Sequence, residues 1–249
     1  MSSNPPSCLI RPFDTIQDHE QCERLQDEVW GRDFSVPVNI TVAIAHHGGV
    51  AIGAFDTKTG EMLGFVLSFV APTQYKSARN GLSHHSHMAA VTERWRGYGL
   101  GARLKLAQRE AVLAQGINLI TWTFDPLEAR NANLNVNRLG CICRVYERDL
   151  YGSMGDNLNA GIPTDRFEAE WWLDENKPQS APDSPILHIE IPISYQAVKQ
   201  RSLQEAFELR QRSRVQFEQA LQEGFAVTAF SLRGTSAWYT LTRLSANPV

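Results

Sequence analysis

A glycine-rich turn between an apolar strand and a helix constrains this chain more than any other feature of its sequence. The turn, residues 92–101, follows the strand at residues 88–91 and carries Gly97, Gly99 and Gly101. The helix places small and aliphatic side chains on one face: Leu100, Leu104, Ala107, Ala111 and Ala114. A helix start has unpaired backbone N–H groups and the positive end of the helix dipole. Glycines let a diphosphate approach those groups, so the turn predicts a site for a phosphorylated cofactor.

The same glycines also fit a loose dinucleotide-binding pattern. Gly97, Gly99 and Ala102 match G-x-G-x-x-G/A. That pattern needs its first glycine directly after the strand and an acidic residue about 20 residues later. Here five residues separate Val91 from Gly97, and Asp125 comes somewhat late. The spacing therefore disfavours a nicotinamide- or flavin-dependent oxidoreductase, an alternative that direct NADH or flavin binding would decide.

The sequence Arg96-Gly97-Tyr98-Gly99-Leu100-Gly101 matches R/Q-x-x-G-x-G/A instead. It resembles the loop with which the N-acyltransferases of the GNAT superfamily hold the pyrophosphate of acyl-CoA. Residues 119–124 resemble the fifth strand of those proteins, and residues 131–140 resemble the helix and glycine that follow it. The resemblance covers residues 8–173. Several segments resemble one subfamily, which includes predicted acetyltransferases and amino-acid N-succinyltransferases: residues 86–88, 105–110, 121–126, 137–140 and 170–173.

The resemblance implies an α/β fold with a GNAT-like mixed, mostly antiparallel sheet that has a splayed central parallel strand pair. The patterns of apolar residues predict strands at residues 9–10, 50–55, 63–70, 84–91, 119–124, 141–150 and 167–173, and helices at residues 18–30, 36–46 and 100–115. A helical crossover joins strands 84–91 and 119–124, so we expect these two strands to be parallel.

The last third of the chain lies outside the resemblance. Residues 174–185 contain three prolines and few apolar side chains, which is typical of a linker. Beyond them the pattern predicts a β-α-β-β extension: a strand at 186–193, a helix at 197–222, and a hairpin of strands 225–232 and 237–244. We therefore expect three parts: a GNAT-like acyl-CoA-binding catalytic domain at 8–173, a linker at 174–185 and the extension at 186–249. Exposed edge strands in the extension would allow a homodimer.

The resemblance also implies how the cofactor is held. The acyl-CoA arm would pair with the strand at residues 88–91, and its thioester carbonyl would accept an N–H near Ala89 or Ala90. Asn131 resembles an asparagine that contacts the CoA arm in related proteins, and Asn133 is a second candidate. Asn131 could equally cap its helix. The residues assigned to the cofactor are Ala89, Ala90, Val91, Arg96, Gly97, Tyr98, Gly99, Leu100, Gly101, Asn131 and Asn133.

Three histidines on the strand before the turn are candidates for the catalytic base. Alternation places His85 and His87 on one face, and His84, Ser86 and Met88 on the other. A neutral imidazole suits removal of a proton from an ammonium substrate. His87 is the first choice and His85 the second. The alternative is that His87 only hydrogen-bonds inside the sheet.

A general acid for the leaving thiolate is harder to assign. The resemblance implies a tyrosine four residues before Gly140, but that position is Val136. Tyr146, or else Tyr151, could substitute from the next strand, although strand tyrosines more often pack in the core. A CoA thiolate leaves readily, so the acid is dispensable in principle.

Composition excludes several other classes. A net charge of −3 disfavours a general binder of nucleic acid or anionic membrane. No apolar run is long enough to span a membrane, and residues 1–7 lack the core of a signal peptide. The four cysteines lack C-x-x-C spacing, which favours a reduced, cytoplasmic protein. His85 and His87 have no further ligands at metal-binding spacing, so we expect no metal.

These observations predict an enzyme that transfers acetyl, or a larger acyl such as succinyl, from acyl-CoA to the amine of a small molecule. The resemblance favours an amino acid as the acceptor. An arginine in the pocket would favour succinyl, with Arg79, Arg130 and Arg144 as candidates. The alternative function is a non-catalytic acyl-CoA sensor or scaffold.

Overall fold

The computed structural model describes residues 7–152, 162–234 and 236–245. The chain divides after Ile120 into two compact units. The glycine- and asparagine-rich segment between residues 150 and 167 lies partly outside the described residues, as does Thr235 in the hairpin turn. Within the described ranges, no helix is long and apolar enough to cross a membrane.

The first unit is an antiparallel sheet with helices packed on it. Its strands are β1 (Cys8–Pro12), β2 (Val50–Asp56), β3 (Met62–Pro72) and β4 (Leu82–Val91), paired in that order. Its helices are α1 (Ile16–Trp30), α2 (Val38–His46) and α3 (Leu100–Ala114). Cys22 and Leu25 of α1 pack with Phe65 and Leu67 of β3 in the core of this unit. Burial of these apolar side chains stabilises the sheet and helix together.

The fifth strand, β5 (Leu119–Phe124), begins in the first unit, next to β4 in the strand order. β4 and β5 are the one parallel pair among the described strands, and the remaining pairs are antiparallel. The prediction of a mixed, mostly antiparallel sheet with a central parallel pair is confirmed.

The second unit carries β6 (Ile142–Glu147), β7 (Arg166–Trp172), β8 (Leu187–Pro192), β9 (Phe225–Arg233) and β10 (Ser236–Arg243). The strand order from β5 is β5-β7-β6-β9-β10-β8. Its core holds a cluster of aromatic rings: Phe124, Phe167, Phe217, Phe230, Tyr146 and Tyr239. The β-α-β-β order of the extension is as predicted, and β9 joins it to β6 through Cys143 and Val227.

The helix predicted at residues 197–222 is two helices, α5 (Tyr195–Arg201) and α6 (Leu203–Gln222). Ser202 between them has an extended backbone and caps α6, because its Oγ accepts a hydrogen bond from the amide of Glu205 at 3.1 Å. Its own amide still bonds to the carbonyl of Val198. The single-helix prediction was wrong at this residue.

Several other predicted boundaries also differ by one or more residues. The helix expected at 36–46 begins at Val38, because Pro37 is its extended N-cap residue. The strand expected at 141–150 ends at Glu147. The helix expected at 131–140 is a short α4 (Ala129–Ala132) that continues as a π-helical segment, Asn133–Arg138. Such wide turns are rare and recur at functional sites.

Candidate functional site

A β-bulge interrupts β4 at His87. Met88 stands opposite Leu67 of β3, but the next pair is Ser86 with Ser68, so His87 has no partner. A bulge puts two successive side chains on the same side of the strand and re-aims the extra one. His87 is exposed, in contrast to the buried Ser86 beside it.

The bulge overturns one prediction about the faces of β4. Met88 was expected to share a face with His84 and Ser86, but it packs against the core cluster that includes Cys22 and Leu25 of α1. His84 and Ser86 instead bond to side chains of α3. The reason is the extra residue at His87, which shifts the alternation by one position.

The α3 side of β4 is a buried polar network. Lys105 Nζ donates to Ser86 Oγ at 2.7 Å and to Gln108 Oε1 at 3.2 Å, and Gln108 Nε2 donates to Ser86 Oγ at 3.1 Å. Lys105 is 5% exposed, and Ser86 and Gln108 are also buried. None of these three residues has a role predicted from the sequence, although Ser86 and the segment around Lys105 are among those that carry the subfamily resemblance.

His84 belongs to the same face and is held as a neutral ring. Its Nε2 lies 2.8 Å from Gln115 Oε1, and its Nδ1 lies 3.0 Å from Ser68 Oγ. An amide oxygen only accepts, so Nε2 carries the proton and Nδ1 accepts from the serine hydroxyl. Burial lowers the pKa of His84, although the bond to Gln115 opposes that shift. Both ring nitrogens are thereby used, which leaves His84 unsuited to act as a base.

The opposite face of β4 presents His85 and His87 beside Phe69 of β3. The ring centroids lie 5.4 Å apart for Phe69 and His85, and 6.1 Å apart for Phe69 and His87. The two imidazoles are 6.4 Å apart. In the described part of the chain neither imidazole makes a hydrogen bond or ion pair, so the alternative of a bond inside the sheet has no support there.

Desolvation lowers the pKa of both histidines. For His85 the nearby His87 and the ammonium of Lys105 lower the pKa further. Both rings are therefore neutral at pH 7, which is the form that can accept a proton. His85 is half-buried and His87 is exposed, so His87 is the more accessible of the two.

Two glycines of the turn have left-handed backbone conformations. Gly97 has φ +89° and Gly99 has φ +79°, values in the left-handed region where glycine is favoured. Gly99 is the N-cap of α3, and no side chain caps it. The first helical bond runs from the amide of Arg103 to the carbonyl of Gly99 at 3.2 Å.

The amides of residues 97–102 bond to no other group within the described part of the chain. Arg96 Nε donates to the carbonyl of Val91 at 3.2 Å and ties the turn back to β4. Tyr98 is 38% exposed and packs edge-on against Trp95. Ala89 is exposed, whereas Ala90 is buried on β4. The structure thus brings the predicted loop and strand residues together around one helix start, which is suited to an anion.

The predicted asparagines lie in the second unit. Asn131 is exposed within α4, whose N-cap is Glu128, so Asn131 does not cap that helix. Asn133 is half-buried, and its Oδ1 accepts a hydrogen bond from Asn137 Nδ2 at 2.9 Å. Asn131 therefore has the more accessible side chain.

Tyr146, the predicted acid, also lies in the second unit. Its hydroxyl donates to Asp165 Oδ2 at 2.7 Å, and Asp165 also accepts two bonds from Arg214, at 2.7 and 2.8 Å. Burial and the bond to Asp165 raise the pKa of Tyr146. The other candidate, Tyr151, shares a hydrogen bond of 2.9 Å with Thr123. The proton of Tyr146 is thus held by a carboxylate in this conformation.

The structure also shows where the three arginines considered for a succinyl group lie, and whether any side chains could bind a metal ion. Arg144 donates to both oxygens of the fully buried Glu170, at 2.8 and 2.6 Å. Arg79 and Arg130 are exposed. Within the described residues, no group of three histidine, cysteine or acidic side chains could hold a metal ion.

No protein-family model and no curated protein matches the sequence. Solved structures match the fold with TM-scores just above 0.5. NAA60 of Arabidopsis thaliana in complex with acetyl-CoA has a TM-score of 0.53 and 14% identity, over 67% of this chain and 99% of that one. The NatC complex bound to Gag peptide and CoA has a TM-score of 0.52 and 19% identity over the same shares.

A third match is aminoglycoside 6′-acetyltransferase type Ii, with a TM-score of 0.51 and 16% identity over 67% of this chain and 97% of that one. These structures are GNAT acetyltransferases. At such low identity the likeness shows the fold alone. The chain therefore has the GNAT fold, as the resemblance implied.

Proposed function

We propose that this chain is an acyl-CoA N-acyltransferase that moves an acetyl or succinyl group from acyl-CoA to the amine of a small molecule. The observation that carries the proposal is the bulged strand β4, which leads into an uncapped helix start through two glycines with positive φ. In a GNAT fold the helix start would hold a diphosphate, and the strand β4 would hold the arm that carries the thioester.

The cofactor would be acetyl-CoA or another acyl-CoA, without a metal. The unpaired amides of residues 97–102 would hold its diphosphate, helped by the dipole of α3. The backbone of Ala89, Ala90 and Val91 would pair with the pantetheine arm. Asn131 and Asn133 are proposed as further contacts of that arm. Arg96, Tyr98 and Leu100 complete the loop that carries the amides.

The reaction needs no covalent enzyme intermediate. The amine nitrogen attacks the thioester carbonyl, a C–N bond forms, and the C–S bond breaks to release CoA. An N–H near Ala89 or Ala90 would stabilise the oxyanion. His87, or His85 as second choice, would accept the proton that the ammonium must lose. Positioning both substrates together supplies much of the rate.

Departure of CoA as a thiolate fits this site better than strong acid catalysis. Tyr146 stays our candidate for an acid, but its hydroxyl must first leave Asp165. Val136, where the resemblance places a tyrosine, is buried and apolar. This last fact favours the second candidate function, a non-catalytic acyl-CoA sensor or scaffold.

A small-molecule amine, with an amino acid as the favoured class, is our proposed acceptor. The similar structures include one bound to a peptide and one enzyme named for an aminoglycoside, so the fold accommodates both kinds of acceptor. We also propose a cytoplasmic location, since Cys22, Cys141 and Cys143 are buried free thiols. A homodimer through the edge strand β8 is proposed on its position at the end of the strand order.

The proposed function is tested by CoA-thiol release with acetyl-CoA and succinyl-CoA against a panel of amino acids and other amines. An acyltransferase releases thiol only when an acceptor is present, and the acylated amine is found by mass spectrometry. A sensor binds acyl-CoA without acceptor-dependent release. A chain that binds neither thioester refutes both candidate functions.

A further inference from the structure

Three side chains of the C-terminal extension reach one four-residue turn, residues 125–128, at the end of β5. Arg210 Nη2 of α6 donates to Asp125 Oδ2 at 2.5 Å. The Tyr239 hydroxyl of β10 donates to the carbonyl of Pro126 at 2.8 Å. Gln196 Nε2 of α5 donates to Glu128 Oε1 at 2.6 Å. Because the donors come from three separate elements, the turn is fixed in several directions at once.

The turn itself sets the start of α4. Asp125 Oδ1 accepts the amide of Leu127 at 2.8 Å, and the carbonyl of Asp125 accepts the amide of Glu128 at 3.1 Å. The carbonyl of Glu128 then accepts the amides of Asn131 and Ala132, at 2.9 and 3.0 Å. The position of Asn131 thus depends directly on the turn that the extension holds.

The Arg210 contact is poorly suited to stability alone. Arg210 is 1% exposed, and its Nε and Nη1 have no hydrogen-bond partner among the described residues. Its guanidinium lies 5.1 Å from the centre of the Tyr195 ring. A buried ion pair with unsatisfied donors adds little to stability over an apolar pair, but it fixes one relative position of its partners. Here the contact fixes the position of α6 relative to the end of β5.

We propose that the C-terminal extension positions the CoA-contacting asparagines, with Arg210, Tyr239 and Gln196 as positioning residues that hold the turn at 125–128. The proposal rests on the proposed function, in which Asn131 and Asn133 contact the CoA arm. It assigns the extension a part in cofactor affinity. The chemical step belongs to the residues of β4.

Two tyrosines of the extension provide a matched pair for the test. Tyr239 and Tyr195 are both fully buried, and each donates one hydrogen bond to a backbone carbonyl. The acceptor of Tyr239 is Pro126 in the turn, whereas the acceptor of Tyr195 is Ala206 inside the extension. Tyr239→Phe and Tyr195→Phe therefore remove the same group, and of the two hydroxyls only that of Tyr239 bonds to the turn.

The full-length variants are compared by hydrogen–deuterium exchange of residues 127–138 and by calorimetric titration with CoA. We expect Tyr239→Phe to speed exchange in this segment and to weaken CoA binding by about two- to tenfold, the range for one hydrogen bond. KM for acyl-CoA should rise by the same factor while kcat stays unchanged. Tyr195→Phe keeps the ring beside Arg210 and should change both exchange and affinity less than Tyr239→Phe does. Gln196→Ala, which removes a half-buried side chain, should add to the effect of Tyr239→Phe.

Unchanged exchange in Tyr239→Phe would show that the extension does not hold the turn at 125–128. Faster exchange with unchanged CoA affinity would show that the turn has no role in CoA binding. An equal effect in both tyrosine variants also overturns the proposal, because it reflects general destabilisation. If the wild-type chain binds no CoA, the proposed function fails and the inference falls with it. The exchange data still show whether the extension holds the turn, so the two failures are distinguishable.

Discussion

Ser86 and Met88 lie two positions apart on β4, yet they face opposite sides of the sheet. Ser86 Oγ accepts a hydrogen bond from Lys105 of α3, and Met88 packs with the core beside α1. The unpaired His87 between them accounts for the reversal. The side of β4 that faces α3 therefore carries a buried polar network, and the opposite side carries the exposed imidazole of His87. The glycine turn begins a few residues after His87.

His87→Gln tests the proposed base. The substitution keeps a polar side chain of similar size and removes the titrating ring. We expect kcat to fall by about 100-fold, the lower end for loss of a general base. The affinity for acetyl-CoA should stay within a factor of about two, because the loop amides are unchanged. Steady-state kinetics and calorimetric titration measure the two quantities.

The matched control is His188→Gln, which removes an exposed imidazole from β8 of the extension. It should leave kcat unchanged. If His87→Gln retains full kcat while His85→Gln loses it, the second choice is the base. Full activity in both variants would rule out a histidine base on β4.

The pH dependence of kcat follows from the lowered pKa values of His85 and His87. Desolvation by the surrounding protein atoms favours the neutral form even though His87 is accessible, so each ring stays deprotonated to a lower pH than a free histidine does. A base must be deprotonated to act, so kcat should fall as the pH drops through a value below about 6.5. In His87→Gln this acid limb should disappear. A limb centred above the ordinary histidine pKa would contradict the assignment.

Gly101→Ala is the control substitution in the glycine turn. A Cβ there would meet only Val91 Cγ2 at 3.9 Å, an ordinary contact, and alanine favours the helix. The free energy of unfolding should therefore stay the same or increase. The motif R/Q-x-x-G-x-G/A accepts alanine at this position, so CoA affinity should stay within a factor of about two.

Gly99→Ala is the comparison. A Cβ there has open space around it, but φ is +79°, so strain should lower the free energy of unfolding by about 1 kcal/mol. Chemical denaturation measures both variants. Gly99→Ala should also weaken CoA binding by about tenfold, roughly 1.4 kcal/mol, because the motif accepts only glycine at this position. If Gly99→Ala binds CoA as tightly as the wild type, the diphosphate does not rest on this loop.

Asp18 at the start of α1 should make folding sensitive to acid. Burial raises the pKa of its carboxyl, but hydrogen bonds from Arg11 and from the amides of Asp14 and Thr15 bring it down to about 2. The carboxylate therefore contributes stability above about pH 4, the pKa of an unfolded aspartate, and that contribution is lost as the pH falls towards 2. Asp18→Asn should lower the free energy of unfolding at pH 7 by about 1–3 kcal/mol.

Urea denaturation at pH 7 and pH 3 checks this prediction. The difference between the wild type and Asp18→Asn should shrink at the lower pH. An equal difference at both values would mean that the ion pair with Arg11 does not contribute. Arg32→Gln is a suitable control, since its ion pair with Asp27 is solvent-exposed on the arginine side and should contribute little.

The features that the sequence predicted well are local. The strand, glycine turn and helix around Gly99 depend on residues a few positions apart, and the antiparallel hairpins follow from alternation and turn residues. The break at Ser202 had a signal, because Ser202-Leu203-Gln204-Glu205 fits the S-x-x-E pattern of a helix start. The helical residues on both sides concealed it.

The features that were missed depend on pairing between distant segments. The bulge at His87 is defined by the register of β4 against β3, which alternation within one strand does not reveal. The contact between Arg210 and Asp125 joins positions 85 residues apart. Neither Lys105 nor Gln108 stands out on a helix whose other polar residues face solvent. These residues gain significance only when the fold brings β4 and α3 together.

Binding of acetyl-CoA to the purified 249-residue chain, measured by isothermal titration calorimetry, is the decisive test of the proposed cofactor site. We expect saturable binding of one acetyl-CoA per chain, with a dissociation constant between about 1 μM and 1 mM, and weaker binding in Gly99→Ala. The absence of binding by acetyl-CoA, succinyl-CoA and CoA alike would contradict it.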